Sequence, residues 1–455
     1  MTLWTSADIA AATGGTAAHD FVVAGVTFDS REVGAGDLFV ALTGESTDGH
    51  RFVDGAFANG AAGAVVSQPV DHPHVLVPDT SAALDALGVA ARGRTAATII
   101  GVTGSVGKTG TKEALAVALA RDGSATHRSV KSYNNHTGVP LSLARMPEHS
   151  RFGVFEMGMN HAGELAALTR LVRPHVAIIT AIAPAHIGHF SGEEAIADAK
   201  AEIFQGLEPG GTAILPFDSV HRERLRAGAT GHAARIVTFG SGEGADVRAI
   251  EAMRAPAGGT FVTARIGVRE LSFTISTPGA HWVQNALAIL AAVDAAGGDL
   301  GRAGLALGEL PGLPGRGERV VVPLPGGTAL VIDESYNANP GSMRATLAAL
   351  AHEPGRRVAV LGEMRELGSG SADYHAALAG PIDEAGLSHV ILVGEAMRPL
   401  AQALEGVTDF VHVDDAAAAR DRLLAMIAPG DAVLVKGSNA IGLASVVAAL
   451  RGANG

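Results

Sequence analysis

Short apolar runs rich in β-branched residues alternate along the chain with Ala- and Leu-rich stretches of helical period, the pattern of α/β folding around parallel sheets. Three blocks emerge. The first runs to about Arg94 and predicts strands at 25–28, 37–41 and 63–67. The second opens with an apolar strand at 97–103 entering a glycine-rich turn, and predicts further strands at 152–156, 176–182 and 212–215. A Pro/Gly-dense stretch at 310–317, LPGLPGRG, reads as a linker. Beyond it, compact strands are predicted at 358–361, 390–393 and 432–435. No repeat of fixed period interrupts this order. The boundaries expected from it give domains at 1–95, 96–316 and 317–455.

Composition narrows the chemistry. The 455 residues include 34 Lys and Arg against 46 Asp and Glu, a net charge of −12, which argues against a nucleic-acid or anionic-membrane binder. Cysteine is absent, so disulfides, thiolate nucleophiles and Cys-ligated metals are excluded together. The N-terminal residues carry Asp8 and no cationic stretch, and no apolar run approaches the ~18 residues of a membrane span. A cytoplasmic monomer is expected, inserted in no membrane. Glycine, at 59 residues, is near twice its usual ~7% share. Either compositional bias or ligand-hugging turns would produce that excess.

The strongest local signal lies at 99–113, IIGVTGSVGKTGTKE. A strand enters, Gly104 and Gly107 follow, and Lys108-Thr109 open a helix. Glycines let backbone N–H groups converge on a phosphate, and the helix N-terminus adds partial positive charge. In this reading 103–107 (Thr103, Gly104, Ser105, Val106, Gly107) wrap a nucleotide phosphate, Lys108 meets the β/γ-phosphates and the Thr109 hydroxyl ligates Mg²⁺. The usual pattern has glycine where this chain has Val102, so the match is to a variant. The plain alternative is a chain reversal before a helix. A nucleotide site needs a carboxylate at the end of a neighbouring strand, and Glu156 closes the apolar run 152–156. Farther on, 184–204 puts His186 and His189 in a Gly/Pro loop ahead of a helix with Glu193, Glu194, Asp198, Lys200 and Glu202. Charge pattern alone makes that helix exposed and Lys200 a surface lysine.

Several of these segments, in this order, resemble the Mur ligases, ATP-dependent amide-forming enzymes of peptidoglycan precursor synthesis. TGSVGKT (103–109) resembles their nucleotide loop, and YNNHTGVPLSLARM (133–146) their Asn-Gly-Pro segment. FEMGMNHAGEL (155–165) resembles their metal-carboxylate strand, and PAHIGHF…AKAEIF their histidine and modified-lysine segments. PGAHWVQNALAIL (278–290) and LPGRGERV (313–320) resemble the later nucleotide motifs. Within the family, VIDESYNANPGSMRATL (331–347), VLGEMRELG (360–368) and LVKGSNAIGL (434–443) resemble the branch that joins D-alanyl-D-alanine to UDP-N-acetylmuramoyl-tripeptide. The block 26–52 resembles its UDP-binding domain. Two positions depart from the family pattern: Asn439 stands where arginine is common, and His136-Thr137 replaces an acidic–aliphatic pair.

The resemblance implies a three-domain α/β architecture: an N-terminal UDP-binding domain, a central P-loop ATPase-like domain with a parallel sheet, and a C-terminal Rossmann-like domain. It implies ATP and two Mg²⁺, with Glu156 on the first metal, His186 on the second and Lys200 carbamylated. His281, Asn285, Arg316 and Asp333 would approach the nucleotide. Asp29, Ser30 and Arg31 would hold the UDP end of the sugar substrate, and Asn135, Asn337, Asn339 and Lys436 would contact substrate. The reaction implied is phosphorylation of a carboxylate to an acyl phosphate, then attack by an amine. A folylpolyglutamate synthase-like ligase and a P-loop NTPase switch remain as other readings of the same loop.

Overall fold

The computed structural model describes residues 2–44, 47–184, 187–255 and 258–452. Strand after strand is buried on both faces, as parallel sheets covered by helices require. Three sheets result. The N-terminal one runs Thr16–Ala17, His74–Leu76, Gly63–Val66, Asp37–Val40, Gly25–Thr27, parallel except for its first pair. Strands Trp4–Thr5 and Val22–Val23 pair antiparallel beside it.

The central sheet has nine strands. Thr98–Thr103 lies between Phe152–Glu156 and Val176–Ile179, all parallel. Thr126–Arg128 forms one edge beside Phe152–Glu156; on the other side the sheet continues in parallel through Thr212–Pro216, Arg235–Gly240 and Val247–Arg254, and ends in Thr260–Ile266 and Arg269–Ile275, each antiparallel to the strand before it. That edge was not apparent from periodicity, because many of its side chains face solvent and its polar residues break up the apolar runs. The helix Ala280–Ala295 buries nearly its whole circumference against the sheet, which its all-round apolar sequence demands.

In the C-terminal sheet the hairpin Glu318–Leu324/Gly327–Glu334 joins Ala432–Lys436, Arg357–Gly362, His389–Val393 and Phe410–Val413, parallel from the second strand onward. The expected strands are present with ends shifted by a residue or so, except that the one expected at 176–182 stops at Ile179. Among the described residues, no helix is long and apolar enough to cross a membrane.

The first two sheets are locked together. The Trp4 indole donates to Ala144 O at 2.8 Å, and the Arg94 guanidinium lies 3.6 Å over the Trp4 ring. The nearly buried Arg92, on helix Thr80–Arg94, donates to Val172 O (2.9 Å) and Arg173 O (2.8 Å). The C-terminal sheet meets the rest more sparsely, through the linker and a close approach of Gly188 to Gly368, where a Cβ on Gly188 would stand 2.9 Å from Gly368 N.

One half-buried histidine is expected to make this core sensitive to acid. His127, between Ser142 O (2.8 Å from Nε2) and the Phe155 ring, is held neutral by burial, which lowers its pKa to about 4 from 6.5. The unfolded chain takes up a proton near 6.5 while the folded one does not. Stability from this group is therefore complete above that pH and is lost as pH falls through the window down to about 4, with a slope of at most about 1.4 kcal/mol per pH unit. Denaturant melts across pH 4–7 are expected to show this slope in the wild type and a flatter profile in His127→Gln; parallel profiles would assign the acid sensitivity to other groups.

Candidate active site

The turn after Thr98–Thr103 is shaped by contact with the neighbouring strand. Thr180 puts its hydroxyl on Thr103 O (3.2 Å) and Val106 O (2.5 Å), and Ser105 binds Ala181 O through its N–H and Ala183 O through its hydroxyl. This explains why strand Val176–Ile179 ends early: the residues after it leave the ladder to hold the loop. Gly104 (φ +149°) has no room for a side chain, since a Cβ would sit 1.9 Å from Thr180 Oγ1. Gly107 (φ +83°) precedes the helix Lys108–Ala120 without a capping side chain, so the first N–H groups of the helix stay open. Lys108 folds back so that its ammonium donates to Gly104 O at 2.7 Å. Open N–H groups, a helix terminus and an ammonium make an anion cradle.

Beside the cradle stands a buried carboxylate. Glu156, 1% exposed, accepts from the Thr109 hydroxyl at 2.8 Å and from Asn134 Nδ2 at 2.7 Å, while its own N–H donates to Ser129 Oγ at 3.2 Å. Ser132 Oγ lies 3.4 Å from Thr109 Oγ1 and accepts from the Arg316 guanidinium at 3.0 Å. Arg316 in turn lies 4.1 Å over the Tyr336 ring. A cavity of about 340 Å³ opens here, lined by the loop and by His281, Asn285, Arg316, Asn337, Asn339 and Lys436. Central and C-terminal sheets thus face each other across it.

The charges around it are unusual. Lys108 is half-buried on the cavity wall, and burial lowers its pKa, opposed by Glu156 and reinforced by Arg316. Lys436, at the end of its strand, donates to Asn337 O at 2.9 Å and sits 3.5 Å from Glu334; burial lowers its pKa against the pull of that carboxylate. The same burial keeps His281 neutral, below its ordinary range. Lys200 is the most extreme. It is 1% exposed, and among the described residues its ammonium has no hydrogen-bond or ion-pair partner. Burial, with the nearby Lys108 charge, pushes its pKa well below that of an ordinary lysine. The surface lysine suggested by charge pattern is a buried amine, because helix Glu193–Ala201 turns Ile196, Ala197, Ala199 and Lys200 inward and leaves Asp198 outside.

The other expected residues divide. Ser105, Val106 and Gly107 line the cavity; Thr103 is wholly buried below it. Asn339 lines it while capping the helix Pro340–Leu350 in a reciprocal pair with Ser342. Asn135 is exposed and closes its own turn on Gly138 N (2.9 Å); its neighbour Asn134 reaches the carboxylate instead. Asp333 points away from the cavity, its two oxygens taken by Gly315 N and by Ser335, while Glu334 faces inward. His186 lies outside the described residues. Asp29, Ser30 and Arg31 form a separate turn, Ser30–Glu32, with Arg31 paired to Asp29 at 2.7 Å. That turn touches the site indirectly, as Glu32 pairs with Lys131 and accepts from the Tyr133 hydroxyl. Ser132, Asn134, Glu334 and Tyr336 were not singled out by the sequence; each stands within three residues of one that was.

Three family models cover the chain: "Mur ligase family, catalytic domain" at 22–101, "Mur ligase middle domain" at 102–293 and "Mur ligase, glutamate ligase domain" at 315–439. The UDP-N-acetylmuramoyl-tripeptide–D-alanyl-D-alanine ligase of Escherichia coli is 34% identical, over 95% of this chain and 94% of its own. The ligase of the same name from Bacillus subtilis is 32% identical over 94% and 93%. The crystal structure of MurF from Acinetobacter baumannii superposes with a TM-score of 0.85 at 34% identity, covering 98% of both chains. MurF ligase from Thermotoga maritima in complex with ADP gives 0.78 at 27% identity, over 94% of this chain and 96% of that one. A likeness that runs through all three sheets, at this identity and coverage, means that the chain belongs to the Mur ligase family.

Proposed function

We propose that this chain joins D-alanyl-D-alanine to UDP-N-acetylmuramoyl-tripeptide, driven by ATP through an acyl phosphate, in cytoplasmic peptidoglycan precursor synthesis. The observation that carries this is the cavity itself: an anion cradle with a buried carboxylate and hydroxyl on one wall, and Arg316, Asn337, Asn339 and Lys436 on the other. The relatives matched over nearly their full length bear the dipeptide-ligase name, which favours this reading over a folylpolyglutamate synthase-like ligase or a switch. The units we assign are 1–95 for the UDP end, 96–316 for ATP and 317–455 for the incoming dipeptide.

The residues fit ATP and Mg²⁺. Gly104 and Gly107 leave space where a Cβ would collide, Lys108 stands at the cradle, and the oxygens of Thr109 and Glu156 are hard donors of the kind Mg²⁺ prefers. No cluster of three metal-ligating His, Cys, Asp or Glu side chains occurs among the described residues. Bound there, Mg²⁺ would offset charge on the β- and γ-phosphates. Asn285 and His281 border the nucleotide, and Glu334 supplies the inward carboxylate expected at Asp333.

The substrate carboxylate oxygen attacks the γ-phosphorus, the bond to the β-phosphate oxygen breaks, and ADP departs. Lys108 and Arg316 stabilise the charge spread over the transferring group. The neutral amine of D-alanyl-D-alanine attacks the acyl carbon. A proton leaves the nitrogen, the carbon–oxygen bond to phosphate breaks, and the amide and inorganic phosphate are released. Positioning carries this chemistry, so no nucleophilic side chain is needed. The Asp29–Arg31 turn takes the UDP end, and its contact with 131–133 links the sugar nucleotide to the reacting end.

Lys200 has what carbamylation requires. Only a neutral amine attacks CO₂; its nitrogen forms the N–C bond and releases a proton, turning an unpartnered neutral amine into an anion beside Lys108. Lys200→Ala is expected to cut turnover by at least about tenfold, and short carboxylates should restore part of it. Full activity in the variant would end the carbamate proposal. For the reaction as a whole, phosphate release from ATP should need both UDP-N-acetylmuramoyl-tripeptide and D-alanyl-D-alanine, with an amide product of matching mass. Release indifferent to both substrates would make the protein a nucleotide switch.

A further inference from the structure

One buried ion has no part in that mechanism. Lys112, on the helix that follows the nucleotide loop, is fully buried. Its ammonium reaches Ser129 O at 2.8 Å, Lys131 O at 2.7 Å and Glu113 Oε1 at 2.7 Å, so all three donors are used. Both carbonyls belong to 129–134, a segment with no helix or strand of its own.

That segment faces two ways. Inward, Ser129 Oγ accepts from Glu156 N, Ser132 Oγ stands between Thr109 and Arg316, and Asn134 donates to Glu156 Oε1. Outward, Lys131 and Tyr133 meet Glu32. Lys131 holds φ at +53°, a left-handed conformation that a lysine keeps only where its surroundings impose it. The carbonyl of that same residue is one of the two that Lys112 grips. Backbone that lacks a ladder is thereby fixed to the helix carrying Lys108 and Thr109.

We propose that Lys112 is a positioning residue for the metal–phosphate site: by gripping the backbone of 129–134 it sets Ser132 and Asn134 against Thr109 and Glu156. The proposal rests on the ligase reading. A lysine that served the fold alone would alter stability and the amount of active enzyme, but not the Mg²⁺ concentration at which the folded enzyme half-saturates.

The test uses the full-length chain, a fluorescent ADP analogue titrated with Mg²⁺, and thermal melts. Lys112→Gln is expected to raise the Mg²⁺ half-saturation by roughly tenfold or more, the range for partners that orient metal ligands. Asn134→Ala should raise it too, and the double variant should fall well short of the product of the two shifts, because both act on Glu156. A folded Lys112→Gln with wild-type Mg²⁺ dependence, or shifts that multiply independently, would overturn the proposal. Should Lys112→Gln not fold, Glu113→Gln keeps the lysine but removes the charge that pairs with its ammonium and with Arg128, just ahead of the gripped segment. A smaller rise in the same direction is then expected, and no rise overturns it. Amide synthesis by the wild type, run alongside, separates the two readings: product without a Lys112 effect sinks only this inference, and no product sinks the ligase reading with it.

Discussion

The interaction on which the site depends is the buried contact of Glu156 with the Thr109 hydroxyl and the Asn134 amide. A carboxylate 1% exposed survives only if its oxygens are satisfied. Meeting that demand brings together three pieces of chain distant in sequence: the helix after the nucleotide loop, the end of a neighbouring strand and the 129–134 segment. Around this carboxylate the balance runs the other way. Lys108, Arg316 and Lys436 line one cavity with only Glu156 and Glu334 as carboxylate partners, and Lys200 lies near enough to Lys108 to feel its charge. The chain as a whole carries −12, so this concentration of buried cations is not something composition reveals. It is the environment a polyphosphate and a carboxylate substrate would neutralise, and burial pushes Lys108 and Lys436 toward their neutral forms.

What the sequence made legible follows from the same physics. Strands buried on both faces must be continuous apolar runs, so 152–156 was readable to its ends. The hairpin strands Val247–Arg254 and Glu318–Leu324 face solvent along much of their length, and mixed polarity hid them. The nucleotide loop was readable because its glycines answer to local geometry. Lys200 was not, because its burial is decided by what packs against helix Glu193–Ala201, and an amphipathic helix gives no sign of which polar residue will face inward. Asn134 and Asn135 are indistinguishable in composition and neighbourhood; only the turn at Gly138 assigns one to the backbone and the other to the carboxylate.

The glycine excess separates along the same line. Gly14, Gly231 and Gly267 sit in left-handed turns with open space around them, where the backbone angle alone favours glycine. Gly104 is different in kind, since Thr180 occupies the volume a side chain would need. Gly188 and Gly368 exclude side chains for another reason: there the short turns Ile187–His189 and Gly368–Gly370 come within backbone contact. Count could not separate these classes, but contact does.

Register makes the last distinction. Strands Gly327–Glu334 and Ala432–Lys436 pair in parallel with Glu334 opposite Lys436, so the two charged ends emerge side by side at the carboxyl edge of the sheet, where open α/β sheets bind ligands. Successive side chains along a strand point to opposite faces. The one-residue step from Asp333 to Glu334 therefore separates a carboxylate that ties down the linker turn at Gly315 from one that faces the nucleotide side of the cavity. Exchanging their roles would need a slip of the whole ladder, taking Val331 out of its core cluster and breaking the Glu334–Lys436 pair together. The linker's conformation and the polarity of the C-terminal wall of the cavity are thus set by one strand register, which couples the turn that delivers Arg316 to the position of Lys436.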